Sequence, residues 1–287
     1  MNILKFLIFN FSKAKIHLIE KDQDLKKCIY QISKEKHIAV DTEFIWRDTY
    51  YPRLSLIQIC TNKEIYIFDC ILLKELAPIR EIFENNKIMK IFHSIRGDTS
   101  VIYNCLNAKI MNIFDTQLAE NLISDHNQQI SYKSLVKKYF YINLPKTETN
   151  SNWNIRPLTS DQVIYAAEDV RYLISIMKMQ HKYLLKNRLT EKFESLCLNE
   201  KNLGETDPSL TRLLRLRKKN SNLSKIEESF FIWREEEAKR LNVPPNKIFN
   251  EKNLKKLKKV MDEKKYTECK WIIKDQNSRK IFLERFE

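Results

Sequence analysis

His37-Ile38-Ala39-Val40-Asp41-Thr42-Glu43 is an apolar run, rich in β-branched residues, that ends in two carboxylates. Its composition predicts a buried strand. Because strand side chains alternate with period two, Asp41 and Glu43 emerge on one face at the strand's C-terminal end. Two carboxylates side by side repel unless cations sit between them, and open α/β sheets take their ligands at the carboxyl ends of strands. A solvated strand end would show the same pair, so the motif needs partners elsewhere in the chain.

Working outward, residues 54–60 and 65–69 read as two further strands separated by the turn Thr61-Asn62-Lys63-Glu64. A helix over 72–85 and a strand over 88–92 follow, then a helix after Asp98, a short strand over 110–115, and helices from Gln117 to about Asn202. The alternation predicts a mixed α/β sheet. Thr159-Ser160-Asp161-Gln162 reads as a capping box that starts the helix carrying Tyr165 and Asp169. A polar stretch over 202–209, with Gly204 and Pro208, predicts a linker to a smaller helical module.

Two more acidic segments qualify as partners. Asp98 follows the strand ending Lys90-Ile91-Phe92-His93, where a helix opens, and is read either as an N-cap or as a carboxylate aimed at the strand ends. Tyr165 and Asp169, four apart on a helix, share one face among apolar neighbours. Together these residues offer oxygen ligands suited to hard divalent ions such as Mg²⁺ or Mn²⁺. Two such ions roughly 3.5–4 Å apart suit in-line displacement at a phosphodiester. A tyrosine of ordinary pKa, about 10, is a poor base at neutral pH, so Tyr165 is assigned to orienting the attacking water.

Composition is consistent with that chemistry. The 287 residues carry a net charge of +14, and residues 191–287, a third of the chain, hold 24 basic and 17 acidic side chains. A basic excess suits a polyanionic partner, although a lysine-rich coding bias would raise it as well. Six cysteines at 28, 60, 70, 105, 197 and 269 form no CxxC pair, which predicts reduced thiols and a cytosolic setting. The apolar opening, residues 1–11, falls short of the roughly 20 residues needed to span a bilayer, so an N-terminal extension over 1–16 and no membrane association are expected.

Asp41-Thr42-Glu43-Phe44, His93 with Asp98 five residues on, and Tyr165-x-x-x-Asp169 resemble motifs I, II and III of the DEDDy 3′→5′ exonucleases, ribonuclease D in particular. Thr49-Tyr50-Tyr51-Pro52, Leu56-Ile57-Gln58, Phe114-Asp115-Thr116-Gln117 and Lys146-x-Glu148 with Ser151-Asn152-Trp153 extend the likeness. It implies a ribonuclease H-like fold, a mixed five-stranded sheet flanked by helices, over residues 17–203. It also implies Asp41, Glu43, Asp98 and Asp169 as ligands of two divalent ions, Tyr165 as a catalytic partner, and release of nucleoside 5′-monophosphates from RNA 3′ ends. tRNA precursors are the implied substrates, with no obligate protein partner. Phe44, Gln58, His93, Lys146 and Trp153 are implied on the substrate side: Phe44 and Trp153 either stack on a base or belong to the core, and His93 either caps the strand or braces a ligand.

Phe230-Phe231-Ile232-Trp233-Arg234-Glu235 and Asn242-Val243-Pro244-Pro245 are similar to the HRDC module, which implies a nucleic-acid-binding helical domain over 208–287. Ribonuclease D commonly has two such modules, and only one fits here. Trp46 stands where the family usually has arginine, and Asn152 where many members have aspartate. A DNA exonuclease and a catalytically silent RNA-binding scaffold are the competing readings.

Overall fold

A computed structural model describes residues 14–124, 129–145, 148 and 151–287. Among the described residues six strands are present: β1 (Lys15–Ile19), β2 (His37–Ile45), β3 (Arg53–Cys60), β4 (Glu64–Asp69), β5 (Met89–Phe92) and β6 (Ile113–Asp115). They form one mixed sheet in the order β1-β4-β3-β2-β5-β6, antiparallel at β2–β3 and β3–β4 and parallel elsewhere. The sheet therefore has six strands, against the five expected. The extra one is β1, which pairs with β4 from Lys15↔Glu64 to Ile19↔Phe68.

The alternation in β2 sorts its side chains between two cores. Ile38 and Val40 face α1 (Asp22–Ile32), α2 (Ala77–Glu84) and α3 (Arg96–Leu106), packing with Ile29, Ile82 and Val101. Ala39 faces the other layer: α4 (Thr116–Ser124), α6 (Ser160–Arg171), α7 (Leu173–Lys186) and α8 (Thr190–Gly204), through Ala119, Ala167, Ile174 and Phe193. The α5 helix (Tyr132–Phe140) packs Leu135 and Val136 with Tyr172 and Ile176. Burying both faces of a strand in this way suits a continuous apolar run, which is how β2 reads.

The α2 helix begins five residues later than the sequence predicts. The Asp69 carboxylate accepts from the Ile71 and Leu72 N–H groups and holds them in a turn, and Pro78 then sets the first helical turn. The expected capping box is present, with Thr159 Oγ1 accepting from Gln162 N at 3.1 Å and Gln162 Oε1 from Thr159 N at 3.0 Å. Gly204 is the last residue of α8. A Cβ there would lie 2.7 Å from the Arg96 carbonyl and collide with the Thr99 side chain, so glycine permits close approach of α8 to α3.

The chain divides into two units: one running up to Ile45 and from Arg53 to Glu205, the other combining Trp46–Pro52 with Thr206–Glu287. The second unit contains α9 (Pro208–Lys219), α10 (Lys225–Leu241), α11 (Pro245–Ile248), α12 (Leu254–Asp262) and α13 (Gln276–Phe286) around Phe230, Phe231, Trp233, Phe249 and Phe282. Tyr50, from the short β2–β3 segment, is buried in that core. Its hydroxyl bonds Glu235 at 3.2 Å and its N–H bonds Asn242 Oδ1 at 3.2 Å. Trp46, the departure from the family pattern, donates its indole N–H to the Tyr50 carbonyl at 3.0 Å. All six cysteines are free. Among the described residues no helix is long and apolar enough to cross a membrane.

Candidate active site

The β2 strand runs past its neighbour, since pairing with β5 covers only His37 to Ala39. Asp41 and Glu43 therefore lie beyond the end of β5, on the α6 face of the sheet. From α6, Asp169 reaches the same place, so that carboxylate oxygens of Asp41, Glu43 and Asp169 all lie within 4.8 Å of one another. Tyr165, one helical turn earlier, hydrogen-bonds Asp169.

Asp98 arrives from the opposite layer. It occupies the first turn of α3 instead of capping it, and its Oδ1 accepts from the Thr42 hydroxyl at 2.6 Å. Thr42 sits between Asp41 and Glu43 but points to the other face, so Asp98 is bound to the strand from behind and stays outside the group of three. Its charge still acts on both Asp41 and Glu43.

The turn that delivers Asp98 is braced by an aspartate that the sequence reading left without a role. Ser94, with φ 67°, adopts the left-handed conformation that turns the chain sharply after β5. Asp115 holds that turn, accepting from Ser94 N at 3.1 Å and Ile95 N at 2.8 Å, and it also takes the Gln117 N–H at the start of α4 at 2.8 Å. The Phe114-Asp115-Thr116-Gln117 match is thus architectural.

Electrostatics single out the acidic group. Burial, followed by the charges of Asp98, Asp169 and Glu43, raises the Asp41 carboxyl well above its ordinary range. Burial and then Asp169 and Asp98 push Glu43 up to about 9. Asp98 is raised to about 7, burial being partly offset by the Thr42 hydroxyl. Asp169 is raised to about 6, with burial opposed by Tyr165 and by the positive charge of Lys133. Carboxyls that resist ionisation because they are buried, and buried beside one another, are the complement of a divalent cation, and three oxygen donors at this spacing fit a hard ion.

A cavity of about 400 Å³ opens beside the group, lined by Asp41, Tyr132, Lys133, Tyr165 and Asp169, with His93 at its wall. His93 has both ring nitrogens engaged, Nδ1 with Thr116 Oγ1 and Nε2 with the Ile130 carbonyl, each at 3.0 Å. Only an N–H can face a carbonyl, and burial lowers the ring's pKa, so the neutral Nε2–H form ties β5 to the segment before α5. Tyr132 and Lys133 were not singled out from sequence. Tyr132 joins α5 to the α6–α7 junction, donating to the Glu168 carbonyl at 2.9 Å and accepting from Tyr172 N at 3.2 Å. Lys133 Nζ lies 5.7 Å from the Tyr165 ring centre. Their one sequence signal is Ser131, whose side chain caps α5 immediately before them.

The residues assigned to the substrate side separate. Trp153 is in the core, 4% exposed with its ring 6.0 Å from that of Tyr165, so it presents no face to a base. Gln58 is fully buried opposite Asp41. Phe44, half-buried past a bulge in β2, packs with the α1–α3 layer and lies close to Gly97. Lys146 lies outside the described residues.

A family model described as 3'-5' exonuclease matches residues 16–184. The chain belongs to the 3′–5′ exonuclease family. Relatives include ribonuclease D of Desulfotalea psychrophila, 31% identical over 245 residues, and that of Pseudomonas paraeruginosa, 31% identical over 261 residues. These alignments cover 82% and 88% of this chain but only 64% and 67% of the relatives, so the chain spans about two thirds of their length. In fold, this family member is similar to Escherichia coli RNase D, with TM-score 0.76 at 23% identity over 84% of this chain and 65% of that one. It is also similar to Trypanosoma brucei RNase D solved with RNA U12, with TM-score 0.63 at 19% identity over 72% and 75% of the two chains. Asp41, Glu43, Asp98, Tyr165 and Asp169 all fall inside the matched segment.

Proposed function

We propose that this chain is a ribonuclease D-like 3′→5′ exoribonuclease that uses two divalent ions, Mg²⁺ or Mn²⁺, to release nucleoside 5′-monophosphates from RNA ends. The observation that carries the reading is the meeting of Asp41, Glu43 and Asp169 within 4.8 Å, beside Tyr165, at the wall of a cavity. Asp41, Glu43 and Asp169 would hold the ions, with Asp98 completing the donor set from the far side of β2. When bound, such a pair supplies an activated water and neutralises the leaving oxygen of an in-line displacement.

The chain's own groups do the rest. Tyr165 aims the attacking water through its hydroxyl while its bond to Asp169 fixes the ring's position. Lys133, at the cavity wall, meets the phosphate next to the scissile bond, and His93 keeps the segment before Lys133 in place. The helical unit serves as an HRDC-like accessory that holds nucleic acid, a role supported by its share of the basic charge. Structured RNA 3′ ends, tRNA precursors among them, are the proposed substrates, and the cytoplasm the proposed setting.

The test is digestion of matched 3′-labelled RNA and DNA oligonucleotides with Mn²⁺, Mg²⁺ or chelator. Metal-dependent release of labelled monophosphate from RNA supports the reading. Preference for the DNA strand would make this a DNA exonuclease, and binding without release would leave an RNA-binding scaffold.

A further inference from the structure

We propose that Gln58 is a positioning residue for the metal site, its carboxamide holding the Asp41 carboxylate in the orientation that accepts a cation. The proposal rests on the metal-site reading above and adds a residue to it.

Three observations converge on this side chain. In the antiparallel register of β2 and β3, Gln58 lies directly across from Asp41, so both side chains stand on the same face, with Cβ atoms about 4.5–5.5 Å apart. Gln58 is fully buried, which rules out direct contact with a nucleotide. Among the described residues, neither its Oε1 nor its Nε2 has a hydrogen-bond partner. Its same-face neighbours in β3, Leu56 and Cys60, belong to the apolar core beneath α6, where a hydrocarbon side chain would pack without penalty. An unpaired buried amide is retained against that alternative when a partner reaches it in another state of the protein.

Asp41 is its cross-strand partner, and it is the one whose surroundings change when a cation enters. An amide suits this place better than a lysine or arginine. It donates to a carboxylate oxygen without a positive charge that would compete with the cation. Each carboxylate has several lone-pair directions, so one can be spent on Gln58 while the others face the ion. Outer partners of this kind restrict which way a ligand points, and their loss weakens metal affinity about 10- to 100-fold.

The experiment is calorimetric titration of Mn²⁺ into wild type, Gln58→Met and Gln58→Asn, paired with thermal melts of each metal-free protein. Gln58→Met keeps length and removes the amide; Gln58→Asn keeps the amide and withdraws it by one methylene. Both are expected to bind Mn²⁺ at least about tenfold more weakly, with the metal-free Met variant melting at or above the wild-type temperature because an unpaired polar group is gone. Unchanged Mn²⁺ affinity in a folded variant overturns the proposal, and a lowered melting temperature alongside it assigns Gln58 a purely structural role. If the Met variant does not fold, the Asn variant decides by the same criterion. Failure of wild type to bind Mn²⁺ would instead overturn the underlying metal-site reading and this proposal with it.

Discussion

Charge is buried in both units of this protein, in opposite ways. In the helical unit Arg234 is buried, stacks on Phe231 at 4.4 Å and bonds Glu235 at 2.7 Å; Glu235 in turn accepts from Arg212 at 2.6 Å and from the Tyr50 hydroxyl. Glu237 accepts from Arg240 and from Ser278, each at 2.7 Å, and the Arg240 bonds hold it below the usual carboxylate range. In the sheet unit, Asp41, Glu43 and Asp169 face one another and are all raised. Matched burial holds a fold together, whereas unmatched like charge costs stability and persists where a ligand supplies the missing sign. The difference separates a structural polar cluster from a site.

Substitutions at the two places should have opposite effects. Asp41→Asn is expected to abolish metal-dependent nucleotide release, by about 10³-fold or more, because losing one metal ligand forfeits several kcal/mol of transition-state stabilisation. The same change should raise the melting temperature of the metal-free protein by relieving repulsion. Full activity on a 3′-labelled RNA, or a lowered melting point with normal activity, would break the comparison from that side.

Glu235→Ala is the converse test. It leaves Arg234 buried without its partner and should destabilise the helical unit by about 3–5 kcal/mol in urea unfolding. A neutral result would mean that this cluster is not holding the core together. Tyr165→Phe sharpens the picture within the site: the rate should fall about 10²-fold while calorimetric Mn²⁺ affinity stays at the wild-type value. Equal losses in rate and affinity would make the tyrosine part of the ligand set.

What was legible in the sequence was local. Period-two alternation placed Asp41 and Glu43 on one face, and the capping box at Thr159 placed Tyr165 and Asp169 on one helix; joining that helix and Asp98 to the strand rested on the resemblance, not on spacing. Features that depend on distant pairing could not be read in this way. The β1–β4 ladder joins strands about fifty residues apart with no local signal. Tyr50 reads as a loop residue until the helical core that receives it has formed. Gln58 reads as a substrate contact in a motif and proves to be buried, and Trp153, open between stacking and the core, lies in the core, because burial depends on which helix covers the sheet. Lys133 enters the site only once α5 is laid beside α6, and the side chain that holds Asp98 is its hydroxyl neighbour Thr42 rather than the cluster of acids.

The most direct test of the central claim is the melting temperature of the metal-free and Mn²⁺-loaded protein from pH 5 to pH 9. A carboxyl with a folded pKa above its unfolded value, near 4, holds its proton more tightly in the native state. Its contribution is whole below pH 4 and is lost as the pH climbs through the folded value: about 6 for Asp169, about 7 for Asp98 and about 9 for Glu43. The metal-free protein should therefore lose stability as pH rises across this window, and the increment from Mn²⁺ should grow with pH as the carboxylates ionise to receive it. A metal-free curve that is flat or rises over this range, with a Mn²⁺ increment independent of pH, would contradict the account.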